Sequence, residues 1–188
     1  MRRILTFALA IVALPAAAHP GHGLGAAGFA AGLAHPFTGL DHLVALLASG
    51  FLAGRLSRNS GLALLAAVLA AMAGGAILAH GTAGWSWIEA GMAVMLMALG
   101  AWLLSPMQQA SALKIATVIV FALFHGAVHG AEAPTDAHWA LYLTGLLTAS
   151  AIILSLSWMA SKHITQHWVA PVVGSTVALL GAWLAWAL

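Results

Sequence analysis

The chain contains no cysteine and very little charge. Without cysteine it can form neither a disulfide nor a thiolate metal site, so any metal ligands must be imidazole, carboxylate, carbonyl or thioether groups. Only 5% of the 188 residues are charged, whereas 63% are hydrophobic. So little charge cannot cover so much apolar surface in water, which indicates a membrane protein with lipid as its solvent. The few basic residues form no basic face, which excludes nucleic acid as a partner.

The N-terminus is typical of a secretory signal peptide. Two arginines precede an apolar run over residues 4–14, and small residues follow up to Ala18. This run is too short to span a bilayer, which takes about 20 apolar residues. We therefore predict a signal peptide over 1–18. The mature chain would begin at His19, on the periplasmic side of a bacterial inner membrane.

Six apolar runs of spanning length predict an all-α, polytopic membrane protein, a compact bundle of six transmembrane helices over 35–188. The runs lie at about 36–54, 62–80, 86–104, 112–130, 138–160 and 168–187. The segment 19–34 carries histidines and then a short Gly- and Ala-rich stretch. We predict that this stretch is periplasmic and either interfacial or re-entrant.

The basic residues of the mature chain orient the predicted bundle. They fall at alternate helix ends and so share one side: Arg55, Arg58, Lys114 and Lys162. The positive-inside rule makes that side cytoplasmic. The mature N-terminus is then periplasmic, as the signal peptide independently requires.

Polar groups interrupt the start of the first run, at His35, Asp41 and His42. Such groups inside a membrane segment are costly and usually functional. In a regular helix, His35 and His42 would be two turns apart, about 10 Å along the axis, so one ion could not bind both. Either the helix breaks near Gly39, or the two histidines are successive stations on a path. Asp41 would ligate directly or orient an imidazole.

A second polar group lies in the fourth run, at His125, His129 and Glu132. His125 and His129 are four residues apart and therefore neighbours on one helix face, the spacing with which two imidazoles bind one ion. Glu132 continues that face. Because this helix runs antiparallel to the first, we predict that the two groups meet at the same depth. His35 would then lie outside the site.

Four further residues are candidates for the metal path: His19, His22, His80 and Glu89. The first two also fit a flexible terminus that happens to carry histidine. His80 and Glu89 lie at the ends of predicted helices, where they would complete the ligand set or only cap a helix. Imidazole and carboxylate without thiolate favour Ni²⁺, Co²⁺, Zn²⁺ or Cu²⁺.

Three alternatives use the same residues. An intramembrane metal-dependent hydrolase would activate water on the cluster, with Glu132 or Glu89 as base. A haem-binding membrane subunit would use pairs of histidines as axial ligands. The polar groups would otherwise form an internal hydrogen-bonded network without a ligand.

The two motifs together resemble those of the HupE/UreJ family of nickel or cobalt permeases, which are associated with hydrogenase and urease maturation. They read His35-x5-Asp41-His42 and Phe124-His125-Gly-x-x-His129-Gly-x-Glu132. The resemblance extends over essentially the whole chain. It implies uptake of Ni²⁺ or Co²⁺ from periplasm to cytoplasm, with no catalytic residue and no prosthetic group. The functional positions that it implies are His35, Asp41, His42, His125, His129 and Glu132.

Overall fold

The computed structural model describes residues 28–82, 86–105, 112–133 and 138–187, and every regular element in these ranges is helical. In chain order they are α1 (Phe29–Ala34), a 3-10 turn (His35–Phe37), α2 (Leu40–Gly54), α3 (Arg58–Ala79), α4 (Ser86–Leu104), α5 (Ala112–Glu132), α6 (Trp139–His163) and α7 (Val169–Ala187). The predicted all-α class is confirmed. The predicted signal peptide, His19 and His22 lie outside the described residues and stay predictions.

Several helices are suited to cross a membrane. By length and apolar composition, α3, α5, α6 and α7 each qualify, and α1 with α2 qualify together as one bent pair. Helix α4 contributes a shorter apolar segment, Ala90–Leu104. The protein is therefore a multi-pass membrane protein. The described residues establish four candidate spans, or five with the bent pair, and the sixth predicted span stays a prediction.

The first predicted helix is broken. A 3-10 turn follows α1, and the backbone is extended at Gly39, with φ −117° and ψ 125°. The hydroxyl of Thr38 donates to the carbonyl oxygen of His35 over 2.7 Å and closes that turn. The two helical parts meet at an angle of 82°. Of the two alternatives left open by the spacing, the break near Gly39 is the one found.

Close helix packing places the second motif. Helix α5 packs mainly against α3, and two glycines of α5 lie directly on α3 backbone. A Cβ atom at Gly126 would collide with the carbonyl oxygen of Met72, and one at Gly130 with that of Ala76. Small residues of this kind let membrane helices approach closely. The backbone contact fixes the rotation of α5 and turns its histidines away from α3.

Apolar side chains fill the bundle below the polar residues. Leu46 and Phe121, each 2% exposed, belong to one buried cluster that also includes Met72. Leu46 lies one turn after His42 on α2, and Phe121 lies one turn before His125 on α5, so both follow the polar faces inward. The polar residues therefore rest on an apolar floor, which we define as Leu46 and Phe121.

Candidate metal site

Four histidine rings converge at the polar end of α2 and α5. The ring of His129 is central, with centroid distances of 4.5 Å to His42, 4.6 Å to His35 and 4.7 Å to His125. The centroids of His42 and His125 are 5.0 Å apart. The two motifs meet as predicted, since residues far apart in the chain surround one small volume.

His35 also belongs to this cluster, on its more exposed side. Its ring centroid is 6.1 Å from that of His42, much closer than the two turns of a regular helix would allow. The break at Gly39 is the cause, because it turns the segment carrying His35 back over the N-terminus of α2. The unbroken spacing could not reveal this contact.

Two triads within the cluster have the spacing of metal ligands. In each triad the three ligand atoms lie within 4.8 Å of one another. We name them the inner triad, His42, His125 and His129, and the outer triad, His35, His129 and Glu132. His129 is common to both. Neutral imidazoles with one carboxylate suit a borderline divalent transition metal.

Several imidazole nitrogens at the centre are buried without a protein partner. Within the described part of the chain, Nε2 of His42, Nε2 of His125 and both ring nitrogens of His129 have no hydrogen bond. Buried polar atoms almost always have partners, and leaving one unsatisfied costs about 1–3 kcal/mol. These four nitrogens do not form the internal hydrogen-bonded network considered as an alternative. Their arrangement fits a site that receives a ligand.

Each carboxylate accompanies one histidine. Oδ1 of Asp41 lies 3.4 Å from Nδ1 of His42, and Oε2 of Glu132 lies 3.5 Å from Nε2 of His35. With Nδ1 of His42 beside Asp41, the other nitrogen of that ring is left for the inner triad. A carboxylate in this position fixes the orientation of a metal-binding imidazole and raises its basicity.

Exposure falls steadily across the site. The side chain of Glu132 is 51% exposed, that of His35 24% and that of His42 14%. His125 is 1% exposed and His129 is fully buried. Glu132 therefore lies at the entrance. His125 lies next to Phe121, whose ring centroid is 5.6 Å away.

His80, another predicted ligand, is not joined to the cluster. His80 ends α3, and its ring stacks on Trp139 at a centroid distance of 4.0 Å and an interplanar angle of 13°. It belongs to neither triad. Glu89 lies in α4, but its side chain, like His19 and His22, is outside what the structure describes.

Tyr142 is a neighbour of the site that the sequence reasoning missed. Its ring lies 5.5 Å from that of His35, edge to face, and the residue is 5% exposed. Its hydroxyl is buried without a hydrogen-bond partner among the described residues. It is the chain's one tyrosine and lies inside an apolar run. Its position in the first turn of α6, where tyrosine is usual at a membrane interface, gave no signal of this contact.

Spanning helices around a buried imidazole and carboxylate cluster define a multi-pass membrane protein with a candidate transition-metal site. The model of the HupE / UreJ protein family matches residues 7–184. Protein HupE of Rhizobium leguminosarum bv. viciae is 37% identical over 181 residues, which cover 95% of each chain. No solved structure matches.

The chain belongs to the HupE/UreJ family, as its two motifs predicted. Members of this family are transport proteins rather than enzymes. The membership favours a transported metal ion over the hydrolase and haem alternatives.

Proposed function

We propose that this protein is a permease that carries a divalent transition metal, Ni²⁺ first and Co²⁺ second, from the periplasm to the cytoplasm. The observation that carries the proposal is the set of buried imidazole nitrogens without hydrogen-bond partners, on His42, His125 and His129. They face one another at ligand spacing. Such nitrogens gain a partner when an ion enters, and the ion is the substrate of the protein.

The identity of the ion follows from chemistry and family together. The donor set alone suits several borderline ions and disfavours Ca²⁺ and Mg²⁺, which require oxygen ligands. Membership in a family that suggests nickel or cobalt uptake for hydrogenase and urease supports Ni²⁺ and Co²⁺ among them. The ion would then supply a metalloenzyme of that kind in the cytoplasm.

The asymmetry of the chain supports the proposed direction of transport. Glu132 and His35 lie at the entrance of the site, whereas Arg55 and Lys162 lie at the opposite helix ends. The positive-inside rule makes the basic end cytoplasmic. The proposal includes the signal peptide over 1–18, a periplasmic mature N-terminus and six spans, with α4 as the sixth.

Metal accumulation in cells tests the proposal. Nickel, cobalt and zinc are measured in cells that express the wild type, His129→Ala or His167→Ala at equal membrane abundance. We expect the wild type to raise cellular nickel or cobalt, and His129→Ala to reduce the increment to background, at least roughly 100-fold, because it removes a ligand from both triads. His167→Ala changes an exposed histidine at the opposite end and should match the wild type. Equal accumulation by His129→Ala would contradict the proposal.

Uptake should also fall in acid. A metal binds only neutral imidazole, so protons compete with the ion at low pH. Flux into vesicles containing the purified protein should therefore decrease as the outside pH falls into the acid range. A flux that stays constant over all acid pH values at which the protein stays folded would exclude the histidines as the ligands that control entry.

A further inference from the structure

The two triads contain five of the six motif residues, since Asp41 belongs to neither. The inner and outer triads each satisfy ligand spacing, but the five residues form two groups rather than one. One ion therefore cannot take all five residues without movement of the chain.

The two triads cannot both be occupied either. They share His129, and a neutral imidazole offers one lone pair on its ring nitrogens. Two ions would also lie within about the width of one imidazole, where two divalent cations repel strongly in a medium of low dielectric constant. A second ion can enter only after the first has left.

We propose that the triads are two successive stations and that a single ion moves from the outer to the inner one by exchanging ligands around His129. The bonds to Glu132 and His35 break as bonds to His42 and His125 form, while a bond to His129 is kept. The ion stays divalent and no proton is transferred. This inference rests on the proposed function and adds the route and the occupancy of the site.

The charge of the ligands changes along this route. The outer triad includes the carboxylate of Glu132, whereas the inner triad consists of three imidazoles. The nearest carboxylate to the inner triad is that of Asp41, which lies against the far nitrogen of His42. The ion is attracted by direct contact with a negative charge and is then held by neutral ligands. Weaker binding of the ion at the inner triad favours its release, which conduction through successive sites requires.

Cobalt binding to the purified full chain tests the two stations. Equilibrium dialysis measures Co²⁺ per chain, X-ray absorption counts bound imidazoles, and stopped-flow absorption follows the rate of binding. We expect one Co²⁺ per wild-type chain. Glu132→Gln should keep one Co²⁺ on three imidazoles while its association rate falls roughly tenfold, since the entrance charge is lost. His125→Ala should keep one Co²⁺ on two imidazoles and a carboxylate, and should lose transport.

His129→Ala should lose both stations, and His129→Gln provides a second variant if the first does not fold, as judged by size-exclusion profile. Two Co²⁺ ions on one wild-type chain would overturn the inference. The inference would also be overturned if Glu132→Gln and His125→Ala each lost as much bound Co²⁺ as His129→Ala. That result would indicate a single site formed by all of these residues. In both cases the proposed function survives if uptake is intact. Absence of any Co²⁺ or Ni²⁺ binding and uptake by the wild type would instead overturn the proposed function, and the inference with it.

Discussion

The two ends of the helix bundle differ in whether their ionisable side chains have hydrogen-bond partners. At the basic end, Nη1 of Arg55 donates to the carbonyl oxygen of Ile164 over 3.0 Å, and Nζ of Lys162 donates to that of Leu56 over 2.6 Å. Lys162 also lies 5.8 Å from the ring of Trp158. At the histidine end, by contrast, the buried nitrogens described above have no partner within the described residues.

This difference separates stabilisation from binding. The basic groups join the turn after α2 to the end of α6, so their hydrogen bonds stabilise the helix packing. At the histidine end, the buried nitrogens without hydrogen bonds lower the stability of the protein. Proteins retain such unfavourable groups where function requires them. The consequence is a clear expectation: changes at the histidine end should alter metal binding, and changes at the basic end should alter stability.

Among variants that test this difference between the two ends, we expect the largest loss of metal affinity for Asp41→Asn. The neutral amide keeps the shape of Asp41 but loses the charge beside Nδ1 of His42. Metal affinity should fall roughly 10–100-fold, the usual effect of losing a carboxylate that orients an imidazole ligand. Isothermal titration with Ni²⁺ measures it.

Ser57→Ala is the control for that experiment. It removes the N-cap of α3 at the basic end, where the hydroxyl oxygen accepts from the backbone N–H of Ser60. It should destabilise the protein by ~1 kcal/mol and leave Ni²⁺ affinity unchanged. An equal loss of Ni²⁺ affinity in Asp41→Asn and Ser57→Ala would contradict this expectation, since affinity would then depend only on the stability of the protein.

A smaller effect is expected for Gly39→Ala. A Cβ atom at this position would lie 2.8 Å from Oδ1 of Asp41 and 2.9 Å from Nδ1 of His42, so both side chains would have to shift. We expect Ni²⁺ affinity to fall roughly tenfold, since small displacements of positioned groups have effects of this order. The folded protein should otherwise persist, because the φ of Gly39 is one that alanine adopts.

Gly74→Ala is the matched control, because a Cβ atom there meets nothing within 4 Å. Within helix α3 this change should stabilise the protein by about 0.5–1 kcal/mol and leave binding unaltered. Unchanged Ni²⁺ affinity in Gly39→Ala would show that the arrangement of Asp41 and His42 has no influence on the site.

The smallest effect is expected for Lys162→Met at the basic end. It removes the hydrogen bond to Leu56 but keeps a long apolar stem over Trp158. Because Lys162 is exposed, the loss of stability should be below about 1 kcal/mol. Thermal unfolding in detergent measures it. Uptake per molecule should equal that of the wild type, and a drop of several-fold would assign the basic end a part in transport.

Local patterns in the sequence predicted most of the helices and the pairing of the two motifs. The second predicted run, 62–80, corresponds to α3 (Arg58–Ala79), because a long apolar run has few alternatives in lipid. The pair His125 and His129 was predictable for a similar reason, since the helical repeat alone makes them neighbours.

Contacts that depend on long-range packing were not predictable. The position of His35 depends on how α1 packs against α6, and no pattern within residues 28–42 contains that information. The same holds for Tyr142, which reaches His35 only through that packing. The sharing of His129 between two triads likewise appears only when both motifs are placed in space.

The apolar floor bears on how the proposed transport would occur. Leu46 and Phe121 belong to one buried apolar cluster, and the ring centroid of Phe121 lies 5.6 Å from that of His125. A divalent ion cannot enter such a layer without a large desolvation cost. An ion carried through this bundle would therefore require the helices around the floor to move, and turnover should follow helix motions of microseconds to milliseconds rather than the diffusion of ions.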